Sequence, residues 1–189
     1  MIGLYGGSFD PIHNGHLNVA IGMMEAHNLD EIWFCPAMLN PLKQQKLSTT
    51  PENRLEMLKL AIEGFPGFQA IDIELKRPGP SYTIDTLDSL KGKLALIIGE
   101  DSAKDFHLWR SPEKILARSE ILVASRGKRA PFTGSPEIVT ALNKGLTEIR
   151  LMEISSTEVR ERLRNGKYCG HLVPTKVLDY ITKHQLYSL

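Results

Sequence analysis

Two short stretches of this chain carry residue types whose spacing suits phosphate chemistry. The first is Gly6-Gly7-Ser8-Phe9-Asp10-Pro11-Ile12-His13-Asn14-Gly15-His16, directly after an apolar N-terminal run. Paired glycines let a backbone approach a ligand closely with its N–H groups outward. A helix that starts just afterwards adds a fixed positive partial charge. His13 and His16 are separated by Asn14 and Gly15, so both can face one anion at that helix entrance. Imidazole N–H groups can donate to phosphoryl oxygens as charge builds in a transition state. A histidine pair can also hold a metal, but no third ligand lies close by in the sequence. Neither the dinucleotide Gly-x-Gly-x-x-Gly pattern nor a Gly-Lys-Ser/Thr loop occurs.

The second stretch is Ile154-Ser155-Ser156-Thr157-Glu158-Val159-Arg160. Ser155, Ser156 and Thr157 at a helix start, with Arg160 one turn in, form a cradle suited to a polyphosphate. Alone, the same residues would serve as an ordinary cap with a solvated arginine. Neither stretch contains a nucleophile with its base, so positioning and charge stabilisation are the chemistry on offer.

Groups this far apart in sequence need a scaffold that brings them together. Met1 to Tyr5, Glu31 to Pro36, Gln69 to Leu75, Leu94 to Ile98, Glu120 to Ala124 and Glu148 to Met152 read as strands. Most are continuous apolar runs, as buried parallel strands are. Helical period fills the gaps: Leu17, Ile21 and Met24 share one face, as do Leu55, Leu58 and Ile62. Thr50-Pro51-Glu52, Ser111-Pro112-Glu113 and Ser135-Pro136-Glu137 place a hydroxyl before a proline at a helix start, and Gly145 and Gly166 suit helix ends. A last helix is expected over Thr175 to Leu186, with Val177, Leu178 and Ile181 inward. The alternation predicts an α/β fold: a doubly wound, Rossmann-like, mostly parallel sheet with helices on both faces. Residues 1–189 are read as one domain, with a small C-terminal helical part from about 154 packed on it. Such sheets bind ligands at the carboxyl ends of their strands, near the switch point.

On the residues quoted, the first stretch resembles the signature of the nucleotidyltransferase superfamily with the His-x-Gly-His motif. The second resembles the Ile-Ser-Ser-Thr-x-x-Arg motif of nicotinamide and nicotinate mononucleotide adenylyltransferases. Lys76-Arg77-Pro78-Gly79-Pro80-Ser81-Tyr82-Thr83 is similar to the Pro-Ser-Tyr-Thr segment of the bacterial nicotinate-nucleotide enzymes, and Gly99-Glu100-Asp101 to their Gly-x-Asp element. The resemblance spans almost the whole chain and implies adenylyl transfer from ATP to nicotinate mononucleotide, with pyrophosphate leaving. It implies His16, His13 and Arg160 as catalytic groups, and Gly7, Ser8, Phe9, Ser155, Ser156 and Thr157 as further ATP contacts. For the mononucleotide it implies Lys43, Tyr82, Thr83, Gly99, Asp101, Trp109 and Arg126. Backbone N–H groups at Tyr82 and Thr83 would receive the nicotinate carboxylate, Asp101 the ribose hydroxyls, and Trp109 the pyridine ring. Mg²⁺ is expected on the ATP phosphates and water, with no protein metal site. One segment departs from the family: Ala37, Asn40 and Leu42 replace its usual Asn, Pro and His, while Lys43 is kept.

Without the family, Trp109 reads first as a core or interface aromatic, while Ser81 or Thr83 fits a plain helix cap and Arg126-Gly127-Lys128-Arg129 a solvated loop. Composition sets outer bounds. The chain has 23 Lys and Arg against 22 Asp and Glu, net +1, which excludes the strongly basic surface of a general nucleic-acid binder. Cys35 and Cys169 belong to no Cys-x-x-Cys pair, which favours a reducing cytoplasmic compartment over a disulfide scaffold. The N-terminus does not read as a signal peptide, and no apolar run approaches the roughly 20 residues of a membrane span. Alternatives are a nicotinamide-mononucleotide-preferring enzyme, a phosphopantetheine adenylyltransferase, or a non-catalytic nucleotide sensor. The second lacks the Ser-Ser-Thr-x-x-Arg and Pro-Ser-Tyr-Thr elements, and the sensor would not need His13 and His16.

Overall fold

The computed structural model describes residues 1–42, 47–125, 127, 131–150 and 152–188. Six strands form one sheet in the order β3-β2-β1-β4-β5-β6, every pairing parallel. They are β1 (Ile2–Gly7), β2 (Glu31–Pro36), β3 (Phe68–Ala70), β4 (Leu94–Gly99), β5 (Ser119–Ser125) and β6 (Leu146–Glu148). Successive side chains on a strand point to opposite faces, and the apolar runs supply a core to each. Tyr5, Phe34, Ile97, Leu122 and Ala124 face one core; Leu4, Cys35, Leu96, Ile121 and Val123 face the other.

The first face is covered by α1 (Asn14–His27), α2 (Pro51–Ile62), α7 (Ser156–Arg164) and α8 (Thr175–Lys183), which contribute Met23, Met57, Val159 and Val177 to its core. The second is covered by α3 (Thr83–Ser89), α4 (Glu100–Lys104), α5 (Pro112–Arg118) and α6 (Pro136–Lys144), with a short 3₁₀ turn at Phe106–Leu108. This is the doubly wound α/β arrangement expected, with its strand order reversing between β1 and β4, so the crevice opens at the carboxyl ends of those two strands.

Several boundaries and faces differ from the expectation. β3 stops at Ala70 because the chain then folds into a turn, with Lys76 N–H donating to Asp72 O at 3.1 Å. That turn buries the Glu74 carboxylate, which accepts from Thr86 Oγ1 at 2.7 Å. β6 lies earlier than Glu148 to Met152. Gly145 packs so closely on β5 that a Cβ there would fall 1.8 Å from Ile121 O, and pairing starts at once, Leu146 against Val123. β5 ends at Ser125, so the residues after Glu148 have no strand to continue along. The buried stripe of α1 is Leu17, Ala20 and Met23, with Ile21 half-exposed; on α2, Leu55 is half-exposed and Arg54 takes an inward position. Thr50 and Ser135 cap as expected, accepting from Asn53 and Ile138 N–H, whereas Ser111 adopts a left-handed backbone (φ 53°) and caps nothing. α8 ends at Lys183, before left-handed residues Gln185 and Tyr187.

Candidate active site

The crevice at the switch point is a cleft of about 1040 Å³. It is lined by every residue the motifs singled out that the structure describes: Gly7, Ser8, Phe9, His13, His16, Tyr82, Thr83, Gly99, Asp101, Trp109, Ser155, Ser156, Thr157 and Arg160. Lys43 and Arg126 lie outside the described residues.

The loop after β1 forms one wall. Phe9 takes a left-handed backbone (φ 47°) and its buried ring packs edge-on against Tyr5 and His16, with centroids 5.8 and 5.1 Å away. The same ring lies across Gly7, where a Cβ would approach it to 2.9 Å, while Gly6 has open space before it. Of the two glycines, Gly7 therefore makes room for Phe9 and Gly6 leaves the approach clear. His13 precedes α1 and His16 lies in its first turn, and their rings stack with centroids 3.7 Å apart. His13 N–H donates to His16 Nδ1 at 3.3 Å. His13 is buried, which pulls its pKa down to about 4, and its Nδ1 has no partner among the described residues. It is neutral at pH 7.

The start of α7 stands beside that loop. Ser155 Oγ caps the helix by accepting from Glu158 N–H at 3.1 Å, and Ser156 Oγ donates to Pro11 O at 2.9 Å. Arg160 donates through Nη1 to Asp10 O at 2.7 Å and through Nη2 to Thr157 Oγ1 at 3.2 Å. All three hydroxyls of the expected cradle thus have protein partners. With Glu158 N–H taken by the cap, the Ser156 and Thr157 N–H groups are the first-turn donors that the helix cannot satisfy internally and that face an anion.

The opposite wall is built from the other motif segments. Tyr82 precedes α3 with no side-chain cap, because Ser81 Oγ accepts from Met38 N–H at 2.9 Å instead. Neither Ser81 nor Thr83 acts as a plain cap of α3. Arg110 lies over the Tyr82 ring, 4.6 Å from its centroid, and 3.7 Å from Asp85 Oδ2. Trp109 packs on Phe106 at 5.2 Å and is half-buried, with Nε1 buried and without a partner among the described residues. Gly99 ends β4, and the Asp101 side chain, two residues on, is 91% exposed. The loop that departs from the family pattern is tied to both walls: Ala37 N–H donates to Gly7 O at 2.9 Å, and Leu39 O accepts from Ser81 N–H at 2.8 Å. Asn40 Oδ1 accepts from Leu42 N–H at 2.9 Å, a local turn.

Sequence reasoning missed the groups that brace the first wall. Asp10 is buried, its carboxylate accepting from Tyr187 O–H at 2.8 Å and Ser48 N–H at 2.7 Å. Arg54, fully buried, donates to Ser8 O at 2.7 Å. An arginine in register with Met57, Leu58 and Ala61 on an inward helix face was a readable signal. Tyr187, 177 residues from Asp10, offered none. Among the described residues, no group of three His, Cys, Asp or Glu side chains is placed to hold a metal, and no helix is long and apolar enough to cross a membrane.

A family model described as cytidylyltransferase-like matches residues 4–162. The chain is 37% identical to the nicotinate-nucleotide adenylyltransferase of Bacillus subtilis, over 99% of this chain and 98% of that protein. It is 39% identical to a Flavobacterium johnsoniae protein named as a probable nicotinate-nucleotide adenylyltransferase, with the same 99% and 98% coverage. Its fold matches that of a Plasmodium falciparum nicotinic acid mononucleotide adenylyltransferase, solved in complex with NaAD, with a TM-score of 0.76 at 24% identity, covering 98% of this chain and 96% of the other.

Proposed function

The chain belongs to the nicotinate-nucleotide adenylyltransferases of the cytidylyltransferase-like family, and from that premise we propose how its residues carry the reaction. The protein transfers the adenylyl group of ATP to nicotinate mononucleotide, forming nicotinate adenine dinucleotide and pyrophosphate in NAD biosynthesis. The 5′-phosphate of the mononucleotide is already an anion and needs no general base. One of its oxygens bonds to the α-phosphorus of ATP as the bond from that phosphorus to the bridging β-phosphate oxygen breaks. The electron pair leaves with pyrophosphate. Catalysis then consists of alignment and of donors aimed where negative charge grows.

His16 is the donor assigned to the α-phosphoryl group. Its Nδ1 accepts from His13 N–H, so the proton of a neutral ring sits on Nε2, the nitrogen assigned to a phosphoryl oxygen. His13 supports that orientation and lines the same wall. The start of α7, with Ser155, Ser156, Thr157 and Arg160, takes the β- and γ-phosphates, and Gly7, Ser8 and Phe9 shape the approach. Trp109 stacks on the pyridine ring, Asp101 takes ribose hydroxyls, and N–H groups at Tyr82 and Thr83 meet the carboxylate. Lys43 and Arg126 complete the mononucleotide contacts.

The nitrogen-rich first wall is a poor set of Mg²⁺ ligands, which suits an ion carried by phosphate oxygens and water. Mg²⁺ bound to ATP would neutralise part of the triphosphate charge. Residues 1–189 work as one unit in this reading, and buried free thiols at Cys35 and Cys169 suit the cytoplasm.

The observation that carries the reading is the joining of the two phosphate-type motifs at one wall of one cleft, through Ser156 to Pro11 and Arg160 to Asp10. The test is pyrophosphate release from Mg²⁺-ATP with each acceptor in turn. Nicotinate mononucleotide should support turnover, and nicotinamide mononucleotide or phosphopantetheine far less. Equal rates with the two mononucleotides would remove the acid preference, and no turnover with any acceptor would leave a nucleotide sensor.

A further inference from the structure

The loop between β1 and α1 is held from outside by groups that, Arg160 aside, the reaction above does not use. Phe9 keeps a left-handed backbone at φ 47°, a strained state for a bulky residue that persists where its surroundings over-determine it. The carbonyls on either side of it each accept from a guanidinium: Ser8 O from Arg54 at 2.7 Å and Asp10 O from Arg160 at 2.7 Å. Arg54 has no exposed surface, and its Nε and Nη2 have no partner among the described residues. Burial pulls its pKa down, and the nearby Asp10 charge is first among the influences that hold it up. A buried charge is costly unless an opposite charge lies near it, and the Asp10 carboxylate is that charge for Arg54. The Asp10 carboxylate is in turn fixed by Tyr187 O–H at 2.8 Å and Ser48 N–H at 2.7 Å. The tyrosine arrives from the turn after α8, on the far side of the sequence from the loop it braces.

We propose that Asp10, Arg54 and Tyr187 form one positioning unit, which locks Ser8 to Pro11 in the conformation that presents the loop to the triphosphate of ATP. The inference rests on the reading of this loop as the ATP-phosphate wall. None of the three touches the reacting atoms; they act through the Ser8 and Asp10 backbone. Tyr187 is the member whose contribution can be removed most cleanly, since Tyr187→Phe deletes one O–H and keeps the buried ring.

The experiment compares wild type, Tyr187→Phe, Asp10→Asn, the double variant, and Tyr180→Phe as a control. Tyr180 O–H donates to Asn53 Oδ1 at 2.9 Å and joins α8 to α2 without touching the loop. Steady-state constants are measured for both substrates, with calorimetric binding of an ATP analogue carrying a methylene between its α and β phosphorus atoms, and thermal unfolding of each variant. Tyr187→Phe should lower kcat/KM for ATP by about 10- to 100-fold, the worth of a hydrogen bond to a charged group. It should weaken the analogue and leave KM for nicotinate mononucleotide unchanged. The double variant should be no worse than Asp10→Asn alone, because Tyr187 acts through Asp10. Tyr180→Phe should keep wild-type ATP constants. ATP constants for Tyr187→Phe equal to those of Tyr180→Phe would overturn the proposal, as would equal losses for both substrates in step with lost folded protein. A wild type that neither binds the analogue nor turns over ATP would instead overturn the ATP reading of the loop, and the positioning unit with it.

Discussion

The rings of His13 and His16 lie stacked, with centroids 3.7 Å and planes 24° apart, and the His13 backbone N–H donates to His16 Nδ1 at 3.3 Å. That one contact decides which nitrogen of the neutral His16 ring can donate. With Nδ1 an acceptor, the proton sits on Nε2. The stack also links a buried imidazole to a half-buried one at the cleft wall. In the proposed reaction His13 is therefore the fixed platform and His16 the group that meets substrate.

His16→Ala removes the donor and leaves the Ser8–Pro11 braces in place. Loss of one preorganised donor to developing charge costs about 10²- to 10³-fold in kcat. That loss is expected here, with KM for nicotinate mononucleotide little changed and the far-ultraviolet circular dichroism of wild type. Pyrophosphate release under saturating substrates measures it. Wild-type kcat in the variant would remove His16 from the charge-stabilising role.

The buried state of His13 gives folding a pH dependence of defined sign. Its pKa is about 4 in the folded protein against 6.5 for an exposed histidine. Above the unfolded value the ring is neutral in both states and nothing is lost. As pH falls from about 6.5 towards 4, the unfolded chain takes up a proton that the folded one does not, and stability declines. The full difference is about 3 kcal/mol. Urea unfolding of wild type and His13→Gln at pH 7.5 and pH 4 should show a smaller acid loss for the variant by roughly that amount. Equal losses in the two proteins would place the histidine in a solvated state.

The fold was legible because the strands buried on both faces are nearly continuous apolar runs, so β2 was readable to the residue, Glu31–Pro36. β3 and β6 were not, because each is ended by something other than its own composition: a buried Glu74 that must reach Thr86, and a β5 that stops at Ser125. The cleft was legible for a related reason. Its lining residues sit at strand ends and helix starts, where Gly, Ser, Thr and His are conspicuous against an apolar background. The braces were not, since Asp10 with Tyr187 and Arg54 with Ser8 are contacts between distant residues. Local period and spacing carry no trace of such pairs. Ser111 shows the converse failure: its Ser-Pro-Glu pattern matches those at Thr50 and Ser135, yet with its left-handed backbone the side chain makes no cap hydrogen bond.

Trp109 lines the cleft, its indole tilted 40° to the Phe106 ring. It rests on Phe106 at 5.2 Å, which is itself fully buried, so the indole has a rigid support on one side and the cleft on the other. Stacking of one aromatic pair contributes about 0.5–1.5 kcal/mol beyond buried area, or about 2- to 10-fold in affinity. Trp109→Ala should raise KM for nicotinate mononucleotide by at least that factor and leave KM for ATP unchanged. Trp109→Phe keeps a ring face but lacks the buried, unpartnered Nε1–H. If stacking is the whole contribution, the phenylalanine variant recovers most of the loss; if Nε1–H donates to the substrate, it recovers little. An alanine variant whose two KM values both match wild type would make Trp109 a packing residue of the second core, with no part in binding the mononucleotide.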